Sequence, residues 1–296
     1  MNPQELTVEY LRDHPLPDHD GGGSKLVRGK VLVIAGSRQV PGAAYLAGLA
    51  ALRAGAGILQ IATVHSAAMH LAVAMPEAMV IGCDEATDGD IAGSASDQLA
   101  NLAADSDAVL IGPGMLNDES VAAITRHLLH AAERPHFVLD AAAFTGLRDS
   151  EIDFGRHAGR ICVTPHAGEM AKFLGCERDA VEADMLDAGR RAAAATQAMV
   201  AMKGAETHIV DADGSAWLSR HGSIALATSG SGDTLAGILS GLLARGTERR
   251  LAMLWAVYLH AEAGRRLALR HGAVGALARE IPGEIPAIMS EFAGPA

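Results

Sequence analysis

The chain has 296 residues, enough for one large α/β domain or two smaller ones at roughly 150 residues per domain. Acidic residues outnumber basic ones by 35 to 24, and the resulting net charge of −11 argues against broad binding to nucleic-acid backbones or anionic membranes. Hydrophobic residues make up 49% of the chain but aromatic residues only 3%, which suits buried strands under closely packed helices and excludes a disordered chain.

The first 24 residues predict an arm that leads into a single domain over residues 25–296. This arm contains Pro15, Pro17 and the triplet Gly21-Gly22-Gly23, which are residue types that interrupt regular structure. It shows no cationic stretch followed by an apolar one, and no apolar run in the chain approaches the length of a membrane span.

The cysteines indicate the compartment. Cys83, Cys162 and Cys176 are odd in number and scattered, without the spacing of a zinc site or a redox pair, so they predict reduced thiols in the core. Together with the absence of a leader, this predicts a cytoplasmic protein. The sequence assigns no side chain as a metal ligand.

After the arm, short apolar runs alternate with segments rich in Ala and Leu. The runs predict strands at 30–35, 58–63, 108–111, 136–140, 161–164 and 199–202. The segments between and after them predict helices at 42–54, 66–75, 118–132, 179–196, 233–244 and 249–270. Repeated strand–helix–strand units place parallel strands in a sheet that helices cover on both faces.

One hairpin interrupts this alternation. Two short apolar runs, 208–210 and 215–218, flank the turn Asp211-Ala212-Asp213-Gly214. The sequence therefore predicts an α/β fold with a mostly parallel central sheet and one antiparallel hairpin.

Five loops rich in Gly and polar residues follow predicted strands. In open α/β sheets, ligands bind beyond the carboxyl ends of the strands, so these loops should meet at one edge. They are Gly36-Ser37-Arg38-Gln39-Val40-Pro41-Gly42-Ala43, Gly112-Pro113-Gly114, Thr164-Pro165-His166-Ala167-Gly168-Glu169, Lys203-Gly204-Ala205-Glu206-Thr207 and Ser229-Gly230-Ser231-Gly232-Asp233.

The last of these loops predicts an anion hole. Gly230, Ser231 and Gly232 let the backbone approach a ligand, and the following helix points its unpaired N–H groups there. Asp233 in the first helical turn is placed to accept a proton from an attacking hydroxyl, so the pair indicates phosphoryl transfer. The alternative is a simple glycine turn in which Asp233 only stabilises the helix N-terminus.

Each of the other loops, considered alone, is weaker evidence for a ligand-binding site. Lys203 at a strand end could place a cation against a phosphate or be a solvated side chain. His166 could contact a polar substrate, but it is one of 13 histidines. Gly112 and Gly114 allow a flat ligand to approach or form a tight turn. His260, in the long last helix, predicts packing rather than ligand binding.

In chain order, these loops resemble those of the ribokinase-like superfamily, and more closely its ADP-dependent NAD(P)H-hydrate dehydratase family, which repairs hydrated nicotinamide cofactors. The likeness spans about residues 25–275. The motifs that carry it most specifically are Gly36-Ser37 through Pro41-Gly42-Ala43-Ala44, the stretch 51–57, Thr164-Pro165-His166-Ala167-Gly168-Glu169, Lys203-Gly204-Ala205-Glu206-Thr207 and Gly230-Ser231-Gly232-Asp233 running into Leu235-Ala236-Gly237. The glycine–aspartate loop alone occurs in many sugar and vitamin kinases.

The resemblance implies a three-layer α/β/α sandwich of the ribokinase-like type and assigns site residues by motif. The substrate side would consist of Ala43, Gly114, His166 and Asp233. The adenine nucleotide would contact Lys203, Gly204, Ala205, Glu206, Thr207 and Gly232. Asp233 would be the catalytic base, beside the anion hole of Gly230, Ser231 and Gly232.

The resemblance also implies a reaction and its partners. Hydrated NADH or NADPH would be phosphorylated on the ring hydroxyl by ADP or ATP with Mg²⁺, and phosphate would then leave to restore the reduced cofactor. The family implies a homo-oligomer, of which a tetramer is one form. Its epimerase domain has no room in the N-terminal arm, so epimerisation would require a separate chain.

The sequence departs from the family pattern at two places. The family's Gly-Pro-Gly-Leu-Gly is here Gly112-Pro113-Gly114 followed by Met115 and Leu116, and its Asp-Ala-Asp is Asp140-Ala141-Ala142. The first departure puts a backbone contact near Leu116 in doubt. The second removes a carboxylate that could have helped to bind magnesium or substrate.

Two other functions remain open from the sequence. A vitamin-precursor kinase of the same fold would release a stable phosphorylated product. A nucleotide-binding regulator would keep the fold without the chemistry, a reading that the missing carboxylate at Ala142 motivates.

Overall fold

Ten strands form one sheet in the part of the chain that the structure, a computed structural model, describes: residues 2–18, 24–148 and 152–293. They are β1 (Gln4–Glu5), β2 (Lys30–Ile34), β3 (Ile58–Val64), β4 (Ala78–Cys83), β5 (Ala108–Ile111), β6 (His136–Leu139), β7 (Ile161–Val163), β8 (Met199–Met202), β9 (Thr207–Val210) and β10 (Ala216–Ser219). Their spatial order is β1-β10-β9-β8-β7-β6-β5-β2-β3-β4. Only β9 runs antiparallel to its neighbours within these described strands.

Helices cover both faces of this sheet. They are α1 (Val8–Asp13), α2 (Gly42–Arg53), α3 (His65–Ala74), α4 (Ser96–Ala104), α5 (Asp118–Ala131), α6 (Ala142–Thr145), α7 (Ala167–Leu174), α8 (Arg178–Ala183), α9 (Met185–Thr196), α10 (Ser231–Ala244), α11 (Arg249–His271) and α12 (Ile281–Ser290). Successive side chains of a strand point to opposite faces, so Val31 and Val33 of β2 join one core cluster while Leu32 and Ile34 join the other. The predicted α/β/α sandwich with a mostly parallel sheet is confirmed.

The predicted helix at 179–196 is wrong as a single element. Asp184 leaves helical geometry with φ −148° and ψ 81°, and it separates α8 from α9. Its carboxylate accepts a hydrogen bond from the Asp187 N–H at 2.9 Å, which caps α9.

Several elements were not predicted from the sequence. Strand β4 is an apolar run, but it lies at an edge of the sheet and is only partly buried. Helix α12 contains Pro282 in its first turn, where proline is tolerated, and Pro286 inside it, which predicts a break rather than a helix. Here apolar packing of Ile281, Ile285 and Ile288 outweighs the proline penalty.

The described part of the N-terminal arm packs against the rest of the chain. Strand β1 pairs in parallel with β10, and Leu6 and Leu11 are buried in the core. The Trp255 indole N–H donates to the His14 carbonyl at 2.9 Å. Residues 21–23, the glycine triplet, lie outside the described residues, and the boundary at residue 24 stays a prediction.

The small-residue face of α2 packs on α10. Ala43, Ala47 and Ala50 are buried, so this face covers the chain's own core rather than awaiting another subunit. The helices approach closely because α10 presents glycine: a Cβ on Gly237 would lie 2.3 Å from the Ala47 carbonyl oxygen. This contact holds the N-terminus of α10 beside that of α2.

We expect Gly237→Ala to destabilise the protein by about 1–3 kcal/mol, because the added methyl overpacks the α2–α10 contact. Denaturant-induced unfolding measures this loss. The matched control is Gly283→Ala in α12, where a Cβ meets nothing within 4 Å and higher helix propensity should stabilise slightly. Equal stability of the two variants would contradict the assignment of close packing to Gly237.

No helix within residues 2–18, 24–148 and 152–293 is both long enough and apolar enough to cross a bilayer.

Candidate active site

A cavity of about 970 Å³ opens beyond the carboxyl ends of β6, β7 and β8. Each of these strands delivers one polar side chain to it: Asp140 after β6, His166 after β7 and Lys203 after β8. The N-terminus of α10 completes the wall with Ser231, Gly232 and Asp233. Three of the five predicted loops therefore meet at this edge, together with the end of β6.

At the first turn of α10 the Ser231 N–H donates to the Thr228 carbonyl at 3.2 Å, which leaves the Gly232 and Asp233 N–H groups available. Its N-cap, Gly230, has a φ of +86°, a conformation that favours glycine, and it supplies no side chain to cap the helix. A Cβ on Gly232 would lie 3.2 Å from the Lys203 ammonium nitrogen, so glycine there keeps the space in front of Lys203 open. An uncapped helix N-terminus beside a cation is suited to hold a phosphate group.

Lys203 is fixed by a buried carboxylate. Its Nζ lies 3.1 Å from Asp140 Oδ1 and 3.9 Å from Glu169 Oε2. Asp140 is only 3% exposed, and it also accepts a hydrogen bond from the Thr164 hydroxyl at 2.7 Å. Burial lowers the pKa of Lys203, but Asp140 and Glu169 outweigh burial and raise that pKa overall, so the ammonium stays charged.

Asp233 lies in a setting that disfavours its ionised form. Burial, and then the negative charge of Asp140, raise its pKa to about 7, although the Lys203 ammonium acts in the opposite direction. A carboxyl group that titrates near neutrality can both accept and release a proton at physiological pH. This property is one that a general base requires.

His166 lines the cavity and also begins α7. Its Nδ1 accepts hydrogen bonds from the Gly168 and Glu169 N–H groups, and the Glu169 carboxylate accepts one from the His166 N–H at 2.8 Å. Because Nδ1 is an acceptor, the neutral ring carries its proton on Nε2, which lies 3.3 Å from Glu169 Oε1. The His166 ring is therefore held in one orientation at the cavity wall.

The two glycine loops nearer β2 and β5 contact each other. The Gly36 N–H donates to the Pro113 carbonyl at 2.7 Å, and a Cβ on Gly114 would lie 2.6 Å from that of Ala43. Ala43 and Gly114 lie outside the lining of the 970 Å³ cavity. Helix α2 links these residues to the cavity. It contains Ala43, and its Leu46 side chain packs against Gly230, where a Cβ would lie 2.4 Å from Leu46 Cδ1.

The departure at Leu116 has its own structural support. The Leu116 N–H donates to Asp90 Oδ2 at 2.9 Å, and the Asn117 N–H donates to the same oxygen. These N–H groups are therefore used within the chain. The backbone contact that the family motif would offer near Leu116 is replaced by this internal one.

The predicted nucleotide residues differ in their surroundings. Gly204, Ala205 and Thr207 line the cavity with Lys203, whereas Glu206 faces away and pairs with Arg220 at 3.0 Å. Five of the six residues predicted to contact the nucleotide therefore line the cavity: Lys203, Gly204, Ala205, Thr207 and Gly232.

Three residues of the site received no role from the sequence: Asp140 and Glu169 were named only as members of motifs, and His260 was assigned to packing. The His260 side chain was expected only to pack, yet its Nε2 lies 3.0 Å from both the hydroxyl and the carbonyl oxygen of Ser231 in the anion-hole loop. Burial lowers its pKa to about 4, so the ring is neutral. The sequence signal for Asp140 was its position directly after a strand, but the signal for His260 lay only in three dimensions.

No group of three or more His, Cys, Asp or Glu side chains suited to a metal ion occurs among the described residues. At this cavity Asp140 is occupied by Thr164 and Lys203, while Glu169 and Asp233 still face the open space. One or two carboxylates that face the cavity match the way magnesium is usually held, by nucleotide phosphates and water with little help from the protein.

Comparison with known proteins agrees with this geometry. The family model for NAD(P)H-hydrate dehydratase matches residues 31–287. An ADP-dependent (S)-NAD(P)H-hydrate dehydratase from Xanthomonas campestris is 45% identical over 97% of this chain and 96% of its own length. A bifunctional NAD(P)H-hydrate repair enzyme from Moorella thermoacetica is 34% identical over 98% of this chain, which spans 54% of that protein.

Solved structures give the same result. The Bacillus subtilis ADP/ATP-dependent NAD(P)H-hydrate dehydratase, co-crystallised with ATP and Mg²⁺, superposes with a TM-score of 0.84 at 32% identity, over 99% of this chain and all of that one. A hydroxyethylthiazole kinase from Pyrococcus horikoshii shares the fold at a TM-score of 0.55 and 17% identity, over 90% of each chain. By sequence and by structure, the chain belongs to the NAD(P)H-hydrate dehydratase family.

Proposed function

We propose that this chain dehydrates the (6S)-hydrates of NADH and NADPH at the expense of ADP, which becomes AMP, with ATP as an alternative phosphate donor. The observation that carries the proposal is the position of Asp233: it lies at the uncapped N-terminus of α10, beside the Lys203 ammonium, in a cavity of about 970 Å³. The family membership and the name of the Xanthomonas relative support the same reaction.

The chemistry follows from the substrate. Hydroxide is a poor leaving group, so the ring hydroxyl first attacks the terminal phosphorus of the nucleotide and its proton passes to a base. The ring nitrogen lone pair then expels phosphate, and loss of the neighbouring ring C–H proton restores the dihydropyridine. Phosphoryl transfer requires mainly positioning and charge stabilisation from the protein.

The residues of this chain take distinct roles in that sequence. Asp233 accepts the hydroxyl proton, and the available N–H groups of the loop Gly230 to Asp233 stabilise the transferred phosphoryl charge with Lys203. The nucleotide lies against Lys203, Gly204, Ala205, Thr207 and Gly232, while Ala43, Gly114 and His166 hold the hydrated nicotinamide side. The held ring orientation of His166 supports its assignment to substrate positioning.

Magnesium belongs to this proposal as the partner of the nucleotide phosphates. Glu169 and Asp233 are the carboxylates that could reach it or its water ligands, and the donor set fits an ion held mostly by phosphate. When bound, the ion would neutralise phosphate charge. The absence of a carboxylate at Ala142 does not conflict with that role, because few protein ligands are required.

The titration of Asp233 predicts the pH dependence of the reaction. Because its pKa is raised to about 7 and the base must be ionised, kcat/KM should fall by about tenfold for each pH unit below 7 and level off above it. Initial rates in buffers from pH 5.5 to 9 measure this. A profile that stays flat down to pH 5.5 would contradict a base with a raised pKa.

The direct test mixes the purified protein with hydrated NADH, Mg²⁺ and either ADP or ATP, and follows the return of reduced-nicotinamide absorbance. We expect recovery that requires the nucleotide and releases phosphate. A stable phosphorylated product would instead identify a kinase, and nucleotide binding without turnover would identify a regulator.

Other parts of the proposal concern the setting of the enzyme. We assign it to the cytoplasm, to a homo-oligomer and to a single domain over residues 25–296. We also propose a functional link to an epimerase, which the bifunctional NAD(P)H-hydrate repair enzyme from Moorella supports.

A further inference from the structure

A second cavity, of about 510 Å³, lies between the first turn of α2 and one face of α3. Its lining divides into two kinds of surface. Tyr45, Leu71 and Ala74 supply an apolar wall, and Arg38, Ser66 and His70 supply polar groups. A flat base and a phosphate group together would match these two surfaces.

Arg38 is held in place at the mouth of this cavity. Its Nε and Nη2 donate to Glu85 Oε2 at 3.1 and 2.7 Å, and its backbone N–H donates to the Gly89 carbonyl at 2.8 Å. The Ser66 N–H, and then Arg38, lower the pKa of Glu85 to about 2, so the carboxylate that holds Arg38 stays ionised. A Cβ on Gly89 would lie 3.0 Å from Arg38 Cβ, which shows how closely this segment packs on Arg38.

The guanidinium keeps binding capacity after these contacts. Its side chain is 54% exposed, and Nη1 has no hydrogen-bond partner within the ranges that the structure describes. A planar guanidinium with free N–H groups is suited to phosphate.

The second cavity lies close to the candidate active site. Pro41 and Gly42 line it, and the next residue, Ala43, contacts Gly114. Tyr45 lines the cavity, whereas its neighbour Leu46 reaches Gly230 beside the anion hole. The two sites are thus separated by the first turns of one helix, whose diameter is about 10 Å. An extended dinucleotide is longer than this separation.

We propose that this second cavity binds the adenosine half of the hydrated dinucleotide, with the base against Tyr45 and a phosphate on Arg38. The inference rests on the proposed function, because it concerns the same substrate. It separates the dinucleotide's adenosine from that of the ADP donor, which lies against Lys203. The cavity then makes the chain selective for a dinucleotide over a mononucleotide.

The test compares two substrates, hydrated NADH and the hydrate of reduced nicotinamide mononucleotide, which lacks the adenosine half. Arg38→Gln should lower kcat/KM for hydrated NADH by about tenfold and leave the value for the mononucleotide unchanged. Ala74→Trp, which fills the cavity from the exposed end of α3, should act the same way. The control is Arg178→Gln, which breaks a more exposed arginine–glutamate pair outside both cavity linings.

A binding measurement separates failure of this inference from failure of the proposed function. Titration of unmodified NADH, followed by its fluorescence, needs no turnover: weaker binding in Arg38→Gln, with binding of the reduced mononucleotide unchanged, supports the cavity even if no dehydration occurs. An equal loss for both substrates, or no loss for NADH, overturns it. A raised KM for ADP in place of hydrated NADH would also overturn it, because the cavity would then hold free nucleotide.

Discussion

Asp233→Asn should reduce turnover of hydrated NADH by at least about a thousandfold, because the amide cannot accept the hydroxyl proton. The substitution keeps the size and the position of the side chain in the first turn of α10, so the anion hole remains. It also removes a buried group whose ionisation burial and Asp140 already oppose. Nucleotide binding should therefore persist or improve slightly. Single-turnover rates and a nucleotide titration measure the two effects.

The matched control is Asp187→Asn, which alters an aspartate in the first turn of α9 away from the cavity lining. We expect this variant to retain wild-type turnover. Near-normal turnover in Asp233→Asn would rule out its role as the base. Loss of nucleotide binding together with turnover would instead assign Asp233 to the nucleotide site.

Lys203→Met should cost about 3–5 kcal/mol of folding stability, because it leaves the Asp140 carboxylate buried without its cation. Turnover should also fall strongly, since the phosphoryl charge loses its closest cation. The remaining activity should show a base that titrates at higher pH, because Lys203 lowers the pKa of Asp233. Denaturant unfolding and the pH–rate profile measure these changes.

A double variant separates structure from chemistry at this pair. Adding Asp140→Asn to Lys203→Met removes the unpaired charge, so stability should recover while turnover stays low. Lys172→Met serves as the control, because it breaks an exposed pair with Asp118 and should cost less than about 1 kcal/mol. If the double variant is no more stable than Lys203→Met, the buried charge is not the cause of the loss.

The sequence predicted those parts of the fold whose signal is local. Strand β2 and helix α2 were predicted within one residue, because a short β-branched run and a longer segment rich in Ala and Leu are both local signals. Strand β4 was not predicted although its sequence is apolar, and helix α12 was not because Pro286 inside it is tolerated only through packing. The split at Asp184 also depended on one residue's conformation.

The candidate site was likewise predicted only in part from the sequence. Gly230, Gly232, Asp233, Lys203 and His166 follow strands or open a helix, so their place at one edge of the sheet could be inferred from chain order alone. The hydrogen bond between Lys203 and Asp140 could not be inferred from chain order. These residues are 63 positions apart, and they meet only because of the order of the strands in the sheet. The contact of His260 with Ser231 spans 29 positions and depends on how α11 packs.

By itself the sequence determined the α/β class, three of the loops that line the candidate site and the family, because backbone conformation and ligand-binding motifs are encoded in short stretches. Only the tertiary structure decided the protonation of Asp233, the fixed position of Lys203 and the second cavity beside α2. Burial and the distances between charges set these properties. Both are defined only when distant segments come together in the folded chain.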